Sequence, residues 1–309
     1  MVFSVARLTA ASLTSGSLSA LVGLGGGFVL TPLLTSTTAI VKGGLKHRNA
    51  QATVLASIAV SSAGAAGGYI YAKSSNNSNP SSSSSSSSPS LLYKVSSNPK
   101  VLQILHDSAL ISLAGVCFSP IGVRIARTMN NDSLRKLMGW TMIFVGPTVP
   151  GRKYIQDMLD PPSSSSAAAA LSPLAPPPPQ TLHIQQVLPP LLIGSLSGLL
   201  AGLLGVGGGA ITVPLISLLH ASTPNYHYTD ALATSLLAMP LPAVIATIAQ
   251  RDLVSFPIAA VLAVGSTLGG GAMARCVEQI GKDDRENVEK VLRWGFCGLM
   301  WVLGARFVK

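Results

Sequence analysis

The sequence is poor in charged residues, aromatic side chains and cysteine, and each shortage excludes a class of protein. Charged residues make up 10% of the 309 residues, whereas a soluble globular domain carries about 25%. Aromatic residues make up 5%, too few to interleave with basic residues on a nucleic-acid-binding face. The three cysteines, Cys117, Cys276 and Cys297, are far apart and form no CxxC pair. The cysteines therefore indicate neither a zinc site nor a redox pair.

Enzyme signatures are missing as well. The sequence contains no GxSxG, no HExxH and no pair of carboxylates within one apolar segment. Its glycine triplets lack the Lys-Ser/Thr ending of a phosphate-binding loop and the βαβ context of a dinucleotide site. We therefore expect neither an enzyme nor a bound metal or cofactor.

Apolar residues dominate the chain and arrange themselves in long uncharged runs. Hydrophobic residues make up 48% of the sequence, the mean hydropathy is +0.49 and the formal net charge is +10. A span of the bilayer needs about 20 residues, and basic loops beside anionic headgroups account for the charge. We count about eight apolar segments, near 8–41, 49–72, 101–127, 134–150, 185–220, 231–250, 253–274 and 291–308. The sequence predicts an all-α, polytopic membrane helix bundle in two homologous halves; which membrane it occupies stays open.

The chain divides at two low-complexity stretches. The first repeat is predicted over 1–156 and contains a disordered loop at 73–100, with eight consecutive serines at 81–88. A linker rich in Pro, Ser and Ala follows at 157–182, and the second repeat covers 183–309. Such compositions cannot bury enough apolar surface to form a packed core.

A repeated glycine-rich segment starts each half. The sequence SGSLSALVGLGGGFVLTPLL at 15–34 matches SGLLAGLLGVGGGAITVPLI at 197–216 in 10 of 20 positions, without gaps at an offset of 182. Each copy is broken by three consecutive glycines and closed by a proline, Pro32 or Pro214, to which we assign a structural role. Each glycine costs a helix about 1 kcal/mol relative to alanine, and in lipid every backbone group needs a partner.

Two explanations fit the glycine breaks. Small residues at helical spacing allow close helix packing. Alternatively, a helix that restarts after the glycines presents unpaired N–H groups and the positive end of its dipole, which suits an anion. Occurrence in both halves favours the second explanation. The predicted substrate-binding residues are Gly23, Gly25, Gly26 and Gly27 in the first half, and Gly205, Gly207, Gly208 and Gly209 in the second. We expect the two triplets to approach each other near mid-membrane.

The second apolar segment of each half also repeats. AQATVLAS at 50–57 aligns with ALATSLLA at 231–238. Asn49 and Asp230 stand where helix N-caps are expected. Thr53, Thr234 and Ser235 lie deeper, where their hydroxyls could donate to a substrate oxygen or back-bond to their own helix. Four crossings in each half would make the halves parallel repeats, and an odd number would make them inverted repeats.

These motifs resemble the sulfite exporter TauE/SafE family of multi-pass membrane proteins. The resemblance rests on the paired SG…GLGGG…P and SG…GVGGG…P segments, the A-x-A-T helix starts and the two-half layout. It implies transport of sulfur-containing or organic anions, such as sulfite and sulfonates. It also implies that Gly23–Gly27 with Pro32, and Gly205–Gly209 with Pro214, are the family's repeated signature.

The predicted function is secondary transport of a small anion across a lipid bilayer, and the resemblance implies that this anion contains sulfur. A proton or sodium ion is a candidate coupling partner, nucleic acid is not an expected partner, and the oligomeric state is left open. Two alternatives remain at this point. One is a non-transporting membrane scaffold or assembly protein that keeps its glycines for packing, and the other is an anion channel.

Overall fold

The structure, a computed structural model, describes residues 5–23, 25–35, 45–76, 99–148, 184–220, 226–280 and 285–308. Within these ranges every regular element is a helix. Six stretches of the described residues are long and apolar enough to cross a membrane. They are His47–Ala72, Lys100–Thr128, Val187–Leu204, Tyr228–Ala249, Phe256–Val277 and Lys290–Val308. The all-α polytopic bundle is confirmed, with six candidate spans where the sequence indicated about eight segments.

The first half contains five helices in its described residues. They are α1 (Val5–Val22), α2 (Gly27–Thr35), α3 (His47–Asn76), α4 (Pro99–Thr128) and α5 (Asn131–Val145), followed by a 3-10 turn at Gly146–Thr148. The 34-residue uncharged run therefore holds one helix and a separate half-helix, α1 and α2. The loop predicted at 73–100 is shorter than expected, because α3 extends to Asn76 and α4 begins at Pro99. Residues 77–98 and the predicted linker at 157–182 lie outside the described residues.

The second half repeats this order. Its helices are α6 (Ile184–Leu204), α7 (Gly209–Leu219), α8 (Tyr228–Ala238), α9 (Pro240–Ala249), α10 (Phe256–Ile280) and α11 (Arg285–Val308), with a 3-10 turn at Arg251–Leu253. Helices α8 and α9 are nearly continuous and form one candidate span. By order and sequence, α6 corresponds to α1, α7 to α2, α8–α9 to α3, α10 to α4 and α11 to α5.

Glycine allows the long helices to pack closely. A Cβ atom built on Gly198 of α6 would overlap the backbone of Gly115 in α4, and one on Gly202 would overlap that of Ser119. Since both partners advance in the same direction, α4 and α6 are parallel.

The same reasoning fixes the direction of α10. Residues further along α10 contact residues further along both α1 and α3, so all three helices are parallel. The pairs are Ser12 with Gly265 and Ser17 with Gly269 for α1, and Gly64 with Thr267 and Gly68 with Gly271 for α3. We call the end of the bundle at which α3 and α10 begin the lower end.

Cross-contacts place the remaining helix ends. The side-chain amide of Gln51 in α3 donates to the carbonyl of Leu204, so α6 ends at the lower end. Arg127, near the end of α4, donates to the carbonyl of Ala249 at the end of α9, so α4 and α9 end close together. Because α10 begins shortly after α9 ends, both ends lie at the lower end. Helices α5 and α11 are antiparallel, because Gly139 packs against Phe307 and Gly146, further along, packs against Met300.

The two halves are therefore inverted repeats. Helix α1 runs upward and its counterpart α6 runs downward, and the same reversal holds for α3 against α8–α9, α4 against α10 and α5 against α11. Of the two arrangements that the sequence left open, inverted repeats are the one present, because these helices run opposite to their counterparts. Inverted repeats are a common architecture of secondary transporters.

Candidate functional site

Each glycine break contains three residues in the left-handed backbone region, at equivalent positions of the two halves. The φ angles are 72° at Gly23, 72° at Gly25, 74° at Gly26, 69° at Gly205, 85° at Gly207 and 71° at Gly208. A side chain with a Cβ adopts this region only at a cost. The fourth glycines, Gly27 and Gly209, are the first residues of the half-helices α2 and α7.

These conformations fold each half-helix back beside the helix that precedes it. The hydroxyl of Ser15 donates to the carbonyl of Gly26 at 3.0 Å, although the two residues are 11 positions apart. A Cβ atom on Gly208 would lie 2.6 Å from the carbonyl oxygen of Ser197, the counterpart of Ser15. A straight helix would separate such residues by about 16 Å, so both breaks are sharp reversals rather than kinks.

The two breaks lie against each other, and each one packs on the opposite half. A Cβ atom on Gly23 would lie 2.7 Å from Leu232 in α8, and one on Gly205 would lie 2.7 Å from Gln51 in α3. Leu232 and Gln51 occupy equivalent positions of the repeat. A Cβ atom on Gly27 would lie 2.9 Å from the Cα atom of Val206, within the other break. The approach of the two glycine triplets is thus present in the structure.

Two apolar side chains fill the space between the breaks. A Cβ atom on Gly25 would lie 3.0 Å from Cγ2 of Ile58 and 3.1 Å from Sδ of Met239. One on Gly207 would lie 3.2 Å and 3.3 Å from the same two atoms. Ile58 and Met239 are buried and again occupy equivalent positions, in α3 and at the α8–α9 junction.

The breaks contain backbone N–H groups that are available as hydrogen-bond donors. Gly23 and Gly205 donate to the carbonyls four residues earlier, and hydrogen bonding resumes with Val29 and Ile211 as donors. Within the described chain, residues 25–28 and 207–210 donate no backbone hydrogen bond. Two half-helix N-termini, with their positive dipole ends, therefore begin at one place in the bundle. This arrangement suits an anion.

The three predicted hydroxyl donors are already engaged with backbone carbonyls. Thr53 donates to Asn49 at 2.7 Å and Thr234 donates to Asp230 at 2.8 Å, both four residues back in their own helix. Thr53 also accepts from the N–H of Ser255 at 3.0 Å. In this conformation the two threonines adopt the back-bonding alternative.

Ser235 bonds across the halves rather than along its helix. Its hydroxyl donates to the carbonyl of Gly23 at 3.1 Å, and it is fully buried. The side chain thus ties the start of the first break to the second half. A role for Thr53, Thr234 or Ser235 as a donor to substrate stays a prediction.

The expected helix caps and helix ends differ from the structure in detail. Helix α3 begins at His47, so Asn49 is inside the helix and the N-cap prediction for it is wrong. The N-cap of α8 is His227, and Asp230 caps the helix from its third position by accepting from the N–H of His227 at 2.9 Å. Pro32 and Pro214 do not end their half-helices, which continue to Thr35 and Leu219.

A contact between a histidine and a buried carboxylate at the far end of α7 was not predicted from the sequence. His220 Nε2 lies 2.9 Å from a carboxylate oxygen of Asp107, whose side chain is nearly buried. The imidazole stacks on Tyr226 at a ring-centroid distance of 4.4 Å, and His106 contacts the second carboxylate oxygen at 3.3 Å. Among the described residues, no group of three or more His, Cys, Asp or Glu could hold a metal ion.

The paired breaks and the inverted halves agree with a comparison to known families. The sequence model described as "Sulfite exporter TauE/SafE" matches residues 2–149 and 96–307. The chain belongs to the sulfite exporter TauE/SafE family. No curated protein and no solved structure matches the chain. The first match to the TauE/SafE model covers all described helices of the first half, and the second extends from the start of α4 to within one residue of the end of α11.

Membership of the TauE/SafE family, together with the six apolar stretches, makes this chain a multi-pass membrane protein of a transporter family. Sequence reasoning had identified the glycines of both breaks, but it missed Ile58 and Met239, and it noted Gln51 only as a polar residue at the start of its segment. A signal for Ile58 and Met239 existed, because the alignment of 50–57 with 231–238 pairs them when it is extended by one residue.

Proposed function

We propose that this TauE/SafE protein is a secondary transporter that moves a small anion across a membrane. The proposed substrate class is a sulfur oxyanion, such as sulfite or an organosulfonate. The observation that carries the proposal is the meeting of two half-helix N-termini, at Gly27 and Gly209, from inverted halves of the chain. The family name, sulfite exporter, supports the substrate class.

Backbone N–H groups of the two breaks would bind the anion. These groups belong to residues 25–28 and 207–210, which donate to no backbone carbonyl of the described chain. Oriented N–H groups and two positive dipole ends favour negative charge without any cationic side chain. An anion held in this way can leave again, because no full countercharge fixes it.

Ile58 and Met239 would gate the site. The same atoms of the two side chains lie closest to Cβ positions on Gly25 and on Gly207. In the proposal, this conformation is a closed state. Rocking of one half against the other would withdraw one of these side chains at a time, which is alternating access in an inverted-repeat protein. The hydroxyls of Thr53, Thr234 and Ser235 are engaged with backbone carbonyls, so the proposed binding groups are the backbone N–H groups alone.

Asp107 and His220 are candidates for proton coupling. A carboxylate inside a membrane-spanning segment is costly unless it is paired or used, and Asp107 is nearly buried beside His220. In the proposal, protonation of this pair accompanies anion movement along α7. Flux driven by a pH gradient in the native protein and absent in Asp107→Asn would support proton coupling. Equal gradient-driven flux in the two proteins would exclude a role for Asp107.

Transport itself is tested with purified protein in liposomes. We expect saturable uptake of radiolabelled sulfite or sulfonate, accelerated when unlabelled anion is placed on the opposite side. Acceleration of this kind requires a carrier cycle, so non-saturating, voltage-driven flux would instead identify a channel. If uptake of every anion tested equals that of empty liposomes, the transport proposal fails and the protein is better explained as a non-transporting scaffold.

A further inference from the structure

A cavity of about 370 Å³ lies at the lower end of the bundle, away from the glycine breaks. Four helices contribute to it. Pro32 and Thr35 come from the end of α2, His47 is the first residue of α3, and α5 and α11 supply the remaining side chains. Thr35 lies eight residues beyond Gly27, about 12 Å along α2. The cavity is therefore separate from the glycine breaks but is reached by the same half-helix.

Positive charge dominates the walls of this cavity. Arg135 from α5 and Arg306 from α11 both line it, and Asp132 is the carboxylate among its lining residues. Two guanidinium groups and one carboxylate give a formal charge of +1. Among the described residues, no carboxylate lies within 4.0 Å of either guanidinium group. Both arginines therefore keep their charge available to a ligand.

Four helix ends and the buried ring of His47 also line the cavity. Helices α3 and α5 begin at the cavity, at His47 and Asn131, whereas α2 and α11 end there, so the helix dipoles largely offset one another and the positive charge comes from the two arginines. Nε2 of His47 is buried and has no hydrogen-bond partner in the described chain. Arg135 donates to the carbonyl of Arg306 at 3.3 Å. This bond satisfies one of the carbonyls at the end of α11, which would otherwise repel an anion.

We infer that this cavity is an oxyanion-binding site. Guanidinium groups bind sulfate-like and phosphate-like oxygens through paired hydrogen bonds. The ligand would be either a small, free oxyanion of sulfur or phosphorus, or the headgroup of a phospholipid, which carries the same kind of oxygen atoms. The site does not depend on the proposed transport function. A further role, collecting the transported anion at the lower end of α2, does rest on that function.

Three variants test the binding site in detergent-purified protein, with radiolabelled sulfate as the probe at low ionic strength. Arg135→Gln with Arg306→Gln should lower sulfate affinity by about tenfold or more, as expected for lost charge-assisted hydrogen bonds. Asp132→Asn should raise the affinity, because it removes the carboxylate from the wall. Arg251→Gln is the matched control, since Arg251 is an exposed arginine at the lower end that does not line the cavity.

A lipid occupant gives a different result from a free anion. If a phospholipid headgroup fills the site, native mass spectrometry should show an anionic lipid retained by the native protein and lost from the double-arginine variant. That outcome also supports the inference and identifies a lipid headgroup as the bound oxyanion. Equal sulfate affinity and equal lipid retention in the native, double-arginine and Asp132→Asn proteins would overturn it.

Flux measurements separate this inference from the proposed function. If the native protein binds sulfate at the cavity but moves no anion in liposomes, the site stands and the transport proposal fails. If flux is normal in the native protein and the double-arginine variant binds sulfate equally well, transport stands and the site is wrong.

Discussion

Ser235 and Gly23 join the two halves of the chain by one buried hydrogen bond. The Ser235 hydroxyl, at the centre of α8, donates to the Gly23 carbonyl at 3.1 Å. Gly23 directly follows α1 and is the first left-handed residue of the first break. A single side chain of the second half thus holds the backbone at the point where the first half reverses direction.

Replacement of Ser235 by alanine should loosen this connection. Hydrogen bonds between membrane helices are worth about 0.6 kcal/mol on average and up to about 1.7 kcal/mol, so the free energy of unfolding should fall by that amount. Because the hydroxyl contacts protein and not substrate in this state, the KM for anion uptake should stay unchanged. Thr234→Val is the matched control, since that hydroxyl bonds within its own helix.

The measurements are denaturant unfolding in detergent and uptake kinetics in liposomes. A large rise in KM for Ser235→Ala with unchanged unfolding free energy would show that Ser235 donates to the anion instead. The same result for Thr234→Val would restore Thr234 as a substrate donor.

Smaller side chains at the two positions between the breaks should open the proposed anion site. Ile58→Ala or Met239→Ala removes volume that now separates Gly25 from Gly207. We expect faster uptake and acceptance of larger sulfonates, with a loss of about 2–5 kcal/mol of stability per substitution. Ile58→Val, which costs about 0.5–1.5 kcal/mol, should show the same direction of change in a better-folded protein. Val60→Ala is the control, because Val60 is in α3 but is 55% exposed.

Uptake of sulfite and of a bulkier sulfonate by each variant gives the readout. An unchanged ratio of the two rates in Ile58→Val and Met239→Ala, with folded protein, would argue against a gate at these residues.

The left-handed glycines should resist substitution in both halves. Gly26→Ala and Gly208→Ala impose a Cβ at φ of 74° and 71°, and these Cβ atoms would crowd Ser15 and Ser197. A left-handed residue with a Cβ costs about 1–2 kcal/mol, so we expect lower thermal stability together with lost flux. Gly67→Ala in α3 is the control, since a Cβ there meets no atom within 4 Å. Full flux in either break variant would contradict an anion site built on this backbone.

Much of this site could be predicted from the sequence because glycine is a specific signal. Three consecutive glycines in an apolar segment are costly, and their repetition at an offset of 182 pointed to paired breaks. Ile58 and Met239 carried no such signal, since isoleucine and methionine are ordinary in any membrane helix. Asn49 was misplaced because cap preference is a statistical tendency, and α3 gains its first turn from His47 onward.

The inversion of the halves could not be obtained from composition. A half-helix that folds back and one that continues across the bilayer have the same apolar residues, so hydropathy counts both as spans. The difference lies in backbone angles at Gly23, Gly25 and Gly26 and in the contact of Ser15 with Gly26. Counting crossings from the sequence therefore gave eight segments and left the parity of each half open.

Single cysteine reporters distinguish the two topologies. The lower end carries Ser133, in the first turn of α5, and Arg251, between α9 and α10, whereas Gln279 follows the α10 span at the upper end. In a background without the three native cysteines, a membrane-impermeant thiol reagent should label Ser133→Cys and Arg251→Cys from one side. Gln279→Cys should be labelled from the other side. The inverted arrangement requires this grouping.

Eight full crossings would group the same positions differently. Ser133 and Gln279 would then share one side, as positions after the third and seventh spans, and Arg251 would lie opposite. Labelling in sealed vesicles before and after permeabilisation, with flux measured for each variant to show that it is folded, decides between the two. Labelling of Ser133→Cys and Gln279→Cys from the same side would contradict the inverted repeats, and with them the meeting of two half-helices from opposite directions that the anion site requires.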